Sequence, residues 1–252
     1  MTTSQLVHLQ SDGGIATITL DSQRNRNALS RQLVAELSEA LQDADQDEAV
    51  RAVLLTAAGT VFCSGADLSE AKDGGMEQGA HALVALQRQI VASAKPVVIR
   101  LHGPVRAGGL GLVGAADIVI AADTVTFAFT EARLGLAPAL ISLTTLPRMT
   151  SRAAARTFLT AETFDAGAAA EMGLITEAVP ADELDQAVAA VLDQLVQASP
   201  QGLRESKALV AAPLLANIDA HGVELAERSA ALFGSAEAKA AMGAFLERRR
   251  KA

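Results

Sequence analysis

The chain contains no tryptophan and no tyrosine, and its seven phenylalanines supply all of its aromatic side chains, 3% of 252 residues. Proteins that hold single-stranded nucleic acid stack the bases on aromatic side chains, so this composition argues against such a surface. The formal net charge of -8 at pH 7 also argues against a general binder of phosphate backbones. We therefore expect no nucleic-acid partner, and a phosphorylated small ligand needs a local basic cluster.

Cysteine is nearly absent as well. The single cysteine, Cys63, excludes an internal disulfide bond and a multi-cysteine metal site, and we expect it to be small and buried. The histidines lack the spacing of metal ligands, so we predict no metal site. The first ten residues lack the pattern of a signal peptide, and no stretch is apolar enough to span a bilayer. We therefore predict a cytoplasmic protein without a membrane partner.

The residues that are abundant predict one sizeable α/β core. Half of the chain is hydrophobic, and short strand patterns alternate with helix patterns up to about residue 140. Such alternation implies right-handed crossovers and a mostly parallel sheet. Beyond residue 140 the chain becomes helical, with Ser151, Asp165 and Asp182 as predicted helix caps, while Ser30 caps an earlier helix. The strands are expected at 15–20, 52–56, 95–101, 118–121 and 126–129.

One stretch, residues 101–117, is the centre of the functional argument. A strand leads into a short turn and then into the pair Gly108 and Gly109, which opens an apolar helix. Helix starts leave backbone N–H groups unpaired, and glycines let an oxygen of a substrate approach them closely. The stretch therefore predicts a site for an oxygen that becomes negative, although tight packing of helix on sheet explains the same glycines.

A second glycine turn and a carboxylate strengthen the functional interpretation. Gly65 and Ala66 follow a buried strand and can present another N–H to a ligand oxygen. Glu131 lies between apolar strands and an apolar segment, where burial raises a carboxyl pKa and suits it to proton transfer. The alternative is a helix-start or surface glutamate paired with Arg133. The charged, glycine-rich segment 70–79 is predicted to be a mobile loop.

Together these segments resemble the crotonase superfamily, the enoyl-CoA hydratases and isomerases, and within it the bacterial branch similar to methylglutaconyl-CoA hydratases. The resemblance implies a spiral of ββα units with mostly parallel sheets over 1–198 and a helical trimerisation region over 199–252. The order and spacing of five blocks make it specific, and the tail at 241–249 adds to it. The blocks are RNRNALS at 24–30, VFCSGADL at 61–68 and the segments 95–112, 115–139 and 164–179.

By position, the resemblance assigns the backbone N–H groups of Ala66 and Gly108 to an oxyanion hole for a thioester carbonyl. Glu131 falls on one of the two catalytic carboxylate positions of the hydratases. The other position is Gly111, which has no side chain, and His102 and Arg106 are further departures from the pattern. The resemblance implies substrate contacts at Arg24, Arg26, Ala28, Ser64, Gly65, Ala66, Asp67, Leu68, Gly108, Gly111, Pro138 and Phe245.

The resemblance implies an acyl-CoA substrate, no cofactor beyond the coenzyme A of that substrate, and a homotrimer or a dimer of trimers. Hydration is the first expectation, with Glu131 taking a proton from water and returning it to carbon. An isomerase needs only one carboxylate and is the second expectation, and a non-catalytic acyl-CoA binder is the third. Arg24 and Arg26 are expected to border the CoA site, although solvated surface arginines are the commoner outcome.

A different class of function is suggested by residues 109–114, which match the G-x-G-x-x-G pattern of dinucleotide-binding proteins. That pattern requires its first glycine directly after a strand. Here the strand ends near Leu101, and Gly103, Pro104 and Arg106 intervene. The sequence therefore favours the acyl-CoA interpretation over a nicotinamide-dependent enzyme.

Overall fold

The computed structural model describes residues 4–73 and 76–251, apart from the side chains at 71–73, 76, 246 and 248–251. The strands within this part of the chain are β1 Val7–Asp12, β2 Ile15–Leu20, β3 Ala52–Ala57, β4 Val97–Leu101, β5 Val105–Arg106, β6 Ile118–Ala122, β7 Thr126–Ala128, β8 Phe164–Asp165 and β9 Glu177–Val179. The α-helices are α1 Arg31–Gln46, α2 Met76–Ala92, α3 Gly109–Ala115, α4 Ala139–Thr145, α5 Ser151–Thr160, α6 Ala166–Glu171, α7 Leu184–Gln197, α8 Pro200–Gly234 and α9 Ala236–Lys251. Short 3-10 helices cover Gln23–Asn25, Leu68–Asp73 and Glu131–Leu134.

The larger sheet has six strands in the order β1-β2-β3-β4-β6-β9. All neighbours are parallel except β1 and β2, which pair antiparallel at one edge. The interior strands β3 and β4 are almost continuously apolar and buried, as is typical of parallel strands covered on both faces. The prediction of a mostly parallel α/β fold is therefore confirmed.

A smaller sheet of β5, β7 and β8 stands beside the first and carries the glycine turns. Its strand β5 is linked to the segment after β3, because the Arg106 N–H donates to the Cys63 carbonyl over 2.9 Å. The Leu29 N–H donates to the Gly65 carbonyl over 2.8 Å, which fixes the loop before α1 against the same segment. Three separate loops are thereby held at one place.

The predicted helix caps are confirmed in two of four cases. The prediction for Ser151 is wrong, because α5 begins at Ser151 itself and Thr150 occupies the cap position. Ser30 accepts a hydrogen bond from the Leu33 N–H at 3.2 Å, and Asp165 accepts one from the Ala168 N–H at 2.8 Å. The prediction for Asp182 is wrong, because α7 begins later, with Glu183 at the cap position and no side-chain cap bond. These bonds satisfy N–H groups that the first turn of a helix leaves unpaired.

The segment 70–79 is largely helical, so the prediction of a loop there is wrong for most of its length. A 3-10 helix covers Leu68–Asp73, and α2 already begins at Met76. Residues 74 and 75 of the predicted loop lie outside the described residues. Apolar side chains further along α2, Leu83, Leu86 and Ile90, are buried in the core and stabilise a helix that extends back into the charged, glycine-rich segment.

The long helix α8, in the C-terminal region, is joined to the core by an ion pair. The Lys207 ammonium lies 2.8 Å from a carboxylate oxygen of Asp117 and donates to the carbonyls of Ile90 and Lys95. Burial lowers the pKa of Lys207, and Asp117 opposes that shift. α8 thus packs into the same core as the sheet, and its role in trimerisation stays a prediction. Among the described helices, none combines the length and apolar composition needed to cross a bilayer.

Candidate active site

The loops of the smaller sheet surround a cavity of about 870 Å³. Its wall is formed by the loop before α1, the segment after β3, the β5–α3 junction, the segment from β7 to α4 and the C-terminal helices. Most of the residues that the sequence assigns to the site line this cavity. They are Arg24, Arg26, Ala28, Ser64, Ala66, Asp67, Leu68, Gly108, Glu131, Pro138 and Phe245.

Two backbone amides in the cavity wall lie side by side. A Cβ built on Gly108 would lie 3.6 Å from the Ala66 nitrogen, and one built on Gly65 would lie 3.5 Å from the Gly108 nitrogen. In the described residues, neither the Ala66 N–H nor the Gly108 N–H donates to a protein acceptor. Backbone donors that converge without partners are suited to hold an oxygen atom of a ligand.

Gly65 supports this pair from behind and does not line the cavity. Its φ of +93° lies in the left-handed region, and a Cβ there would meet the Ala107 Cβ at 2.9 Å. Both the backbone conformation and the close approach therefore require glycine. Gly65 therefore positions Ala66, and a direct substrate contact at Gly65 stays a prediction.

Glu131 provides the acid/base group at the cavity. Its Oε2 atom is buried and has no hydrogen-bond partner among the described residues. Burial raises the pKa of Glu131 from 4.5 to about 7, so both protonation states are accessible near neutral pH. The neighbouring Arg133 is exposed, and within the described ranges it forms no ion pair with Glu131, so the alternative of a salt-bridged surface glutamate is wrong.

Asp67, the other carboxylate in the cavity wall, is held in its charged form. Burial raises its pKa, but hydrogen bonds from the side chain and N–H of Ser69 and from Asn25 outweigh that effect and lower the pKa. The Ser69 hydroxyl donates over 2.7 Å, and the Asn25 amide donates over 3.0 Å. A carboxylate with this many donors does not cycle a proton near neutral pH. Glu131 is thus the carboxylate suited to proton transfer.

Comparison with known proteins agrees with this geometry. The family model described as Enoyl-CoA hydratase/isomerase matches residues 10–252. The chain belongs to the enoyl-CoA hydratase/isomerase family. This membership confirms the predicted crotonase-like fold and the prediction of an enzyme of this family.

Individual relatives cover nearly the whole chain. An enoyl-CoA hydratase from Mycobacterium avium, known from a crystal structure, has 48% sequence identity to this chain. The two structures match with a TM-score of 0.91, and the match covers 98% of this chain and 98% of that chain. The short-chain-enoyl-CoA hydratase of Clostridium acetobutylicum is 27% identical over 97% of this chain and 95% of its own length. Enoyl-CoA delta isomerase 2 of Rattus norvegicus is 32% identical over 82% of this chain and 54% of its own length.

The dinucleotide interpretation lacks its structural context in this family member. β4 ends at Leu101, and β5 intervenes before α3 begins at Gly109. The first glycine of the pattern therefore follows a two-residue strand of the smaller sheet, with Ala107 and Gly108 between them, rather than coming directly after a strand of the parallel sheet as that motif requires. In the part of the chain that the structure describes, no three His, Cys, Asp or Glu side chains group in a way that could hold a metal ion.

Gly111 lies in the packed interface between α3, α2 and α4. It is fully buried, does not line the cavity, and a Cβ built there would lie 2.9 Å from the Gln87 Oε1 atom and 2.9 Å from Ile141. Gln87 is itself buried, accepts from the Thr144 hydroxyl at 2.9 Å and donates to the Leu140 carbonyl. An amide from α2 therefore fills the space beside Gly111, and a substrate contact at this residue stays a prediction.

Three arginines of the cavity wall differ in burial. Arg24 and Arg26 are exposed at its edge, as expected for groups that meet a charged ligand part in water. Arg106 is half-buried, and burial lowers its pKa. The sequence marks Arg106 only as a departure from the family pattern, in which this position is apolar. A charged residue at such a position is the signal that could have assigned Arg106 to the site. The basic run at 248–251, also predicted to add charge, has its side chains outside the described residues.

Proposed function

We propose that this protein hydrates an enoyl-CoA thioester with Glu131 as its single acid/base. One observation carries the proposal: the buried Oε2 of Glu131 and the amides of Ala66 and Gly108 share one cavity wall, and none of them has a hydrogen-bond partner among the described residues. The two N–H groups hold the thioester oxygen as it becomes negative, which stabilises an enolate.

The reaction balances with one carboxylate. Ionised Glu131 takes a proton from water while the water oxygen bonds to the β carbon and the double-bond electrons move toward the thioester oxygen. Protonated Glu131 then returns that proton to the α carbon as the enolate collapses. A pKa of about 7 allows the group to act as base and acid in turn.

The remaining parts of the proposal concern the substrate and the assembly. Arg24 and Arg26 at the cavity edge are placed to attract the phosphates of coenzyme A by local charge, although the chain is acidic overall. No cofactor beyond that coenzyme A takes part in the scheme. Trimer formation, a cytoplasmic location and membership in the methylglutaconyl-CoA hydratase-like branch stay predictions.

Double-bond isomerisation is the second candidate, and one observation favours it. Of the described carboxylates in this cavity wall, Glu131 has the pKa of a proton carrier and Asp67 does not, and moving a proton between two carbons needs only one carboxylate. The similarity to a protein named as a delta isomerase agrees with this candidate.

An assay in water labelled with heavy oxygen separates the candidates. The purified chain is incubated with 2-enoyl-CoA and 3-enoyl-CoA thioesters, and the products are resolved by mass spectrometry. Hydration adds one labelled oxygen, whereas isomerisation moves the double bond without a gain of oxygen. We expect labelled 3-hydroxyacyl-CoA, and binding without either product would contradict both enzymatic candidates.

A further inference from the structure

Arg106 lies in the cavity wall without an anionic partner among the described residues. It is half-buried, lines the cavity, and burial is the single cause that lowers its pKa. An ion pair would oppose that shift, yet no described carboxylate does so. Removing a cation from water without a partner costs free energy, so the position favours an anion brought by a ligand.

Among the described residues, the hydrogen bonds of Arg106 leave one edge of its guanidinium without a partner. Nη1 donates to the carbonyls of Val105 and Thr126 at 2.9 and 2.5 Å, and Nη2 donates to the Thr126 hydroxyl at 2.8 Å. A guanidinium has five N–H donors, so Nε–H and the second Nη2–H remain. These two point the same way and form the fork that matches a carboxylate in a bidentate pair.

Position along the chain identifies which part of the substrate carries that anion. Arg106 precedes Gly108 by two residues, so their Cα atoms lie no more than about 7 Å apart. In the proposed function, the Gly108 N–H holds the thioester oxygen, and the pantetheine arm separates that oxygen from the CoA phosphates. An anion near Arg106 is therefore a group on the acyl chain rather than a phosphate.

We propose that Arg106 binds a carboxylate on the acyl group, so that the preferred substrates are thioesters of dicarboxylic acids. The proposal rests on the proposed function only in placing an acyl thioester in this cavity. Thr126 holds one edge of the guanidinium through its carbonyl and hydroxyl, which fixes the plane of the fork before substrate arrives.

Binding of saturated thioesters tests this without turnover. Glutaryl-CoA and valeryl-CoA have acyl chains of equal carbon count, and they differ by a terminal carboxylate against a methyl group. We expect Arg106→Met to weaken binding of glutaryl-CoA roughly 10- to 100-fold, the range for hydrogen bonds to a charged group, and to leave valeryl-CoA unchanged. Arg133→Met removes an exposed arginine from the same cavity wall and should leave the ratio of the two affinities unchanged.

The other possible results of these binding measurements would contradict the role proposed for Arg106 or the proposed function. Equal weakening of both ligands by Arg106→Met would assign the residue to CoA or to the fold, and no weakening of glutaryl-CoA would remove the carboxylate site. If Arg106→Met does not fold, Arg106→Lys keeps the charge without the fork, and it should weaken glutaryl-CoA alone. Failure of the wild type to bind valeryl-CoA contradicts the proposed function, whereas a failed glutaryl-CoA effect alone contradicts only the Arg106 proposal.

Discussion

Replacing Glu131 with glutamine should lower activity and raise stability at alkaline pH, and the two effects together test its assignment. The pKa of Glu131 is raised from 4.5 to about 7 by burial, so the folded state holds a proton that the unfolded state has released between those values. Stability from this group is therefore present below pH 4.5 and is lost as pH rises through about 7. The rise in pKa corresponds to about 3 kcal/mol above pH 8.

Glutamine has no proton that titrates, so the variant does not lose stability between pH 4.5 and about 7 as the wild type does. The melting temperature of Glu131→Gln minus that of the wild type should rise between pH 5 and pH 9. For a chain of this size, about 3 kcal/mol corresponds to a change in that difference of roughly 6–12 °C. Differential scanning calorimetry at a series of pH values measures it directly.

Glu36 provides a control with the opposite sign. Burial raises its pKa, but hydrogen bonds from Gln32 and from the N–H groups of Leu6 and Val7 outweigh burial and lower the pKa. Its contribution is present above the pKa of the unfolded chain and is lost as pH falls through the lowered value. Glu36→Gln should therefore be less stable than the wild type at neutral pH, with a smaller difference in acid.

The kinetic part of this prediction uses the same two variants. Glu131→Gln keeps the shape of the side chain but cannot cycle a proton, so turnover should fall on the order of a hundredfold or more. Glu36→Gln should retain turnover, since Glu36 does not line the cavity. A stability difference for Glu131→Gln that does not vary between pH 5 and pH 9, or near-normal turnover, would refute the role given to Glu131.

Two further predictions concern the cavity and its surroundings. Gly111→Glu should destabilise the protein by about 1–3 kcal/mol, as overpacked cores do, since its Cβ would lie 2.9 Å from Gln87 and from Ile141. Thermal unfolding measures this loss, and adding Gln87→Ala should recover part of it, whereas an unchanged melting temperature for Gly111→Glu alone would contradict the packing. Arg26→Ala should weaken CoA binding more at low salt than at high salt, because salt screens an exposed charge. Titration calorimetry at several salt concentrations measures this effect, and Arg152→Ala, which removes an exposed arginine away from the cavity, is the control. Affinity that does not depend on salt in either variant would contradict the prediction.

Features encoded by neighbouring residues were predictable from the sequence. The β3 and β4 strands are apolar runs, and Glu131 stands alone as a carboxylate between apolar segments. The amides of Ala66 and Gly108 follow from glycine turns after strands. In each case the physical cause, burial or a required backbone conformation, is contained in a few adjacent residues.

Features that depend on distant contacts were not predictable in this way. Gln87 occupies the space beside Gly111 from α2, and no pattern in the sequence around either residue indicates that contact. The strands β5 and β8 have two residues each, and pairing with β7 defines them rather than any periodicity. The free edge of Arg106 depends on Thr126, twenty positions further along the chain.

The buried pair of Lys207 and Asp117 has a consequence for synthesis of the protein on the ribosome. Asp117 also accepts a hydrogen bond from the Val97 N–H at 2.7 Å, so its carboxylate stands at the base of the central sheet. The Lys207 ammonium lies ninety residues further along the chain, so the ion pair forms only after α8 has been made. The wall residues Ser229 and Phe233 follow still later, so a nascent chain has no finished cavity until its final helices have emerged.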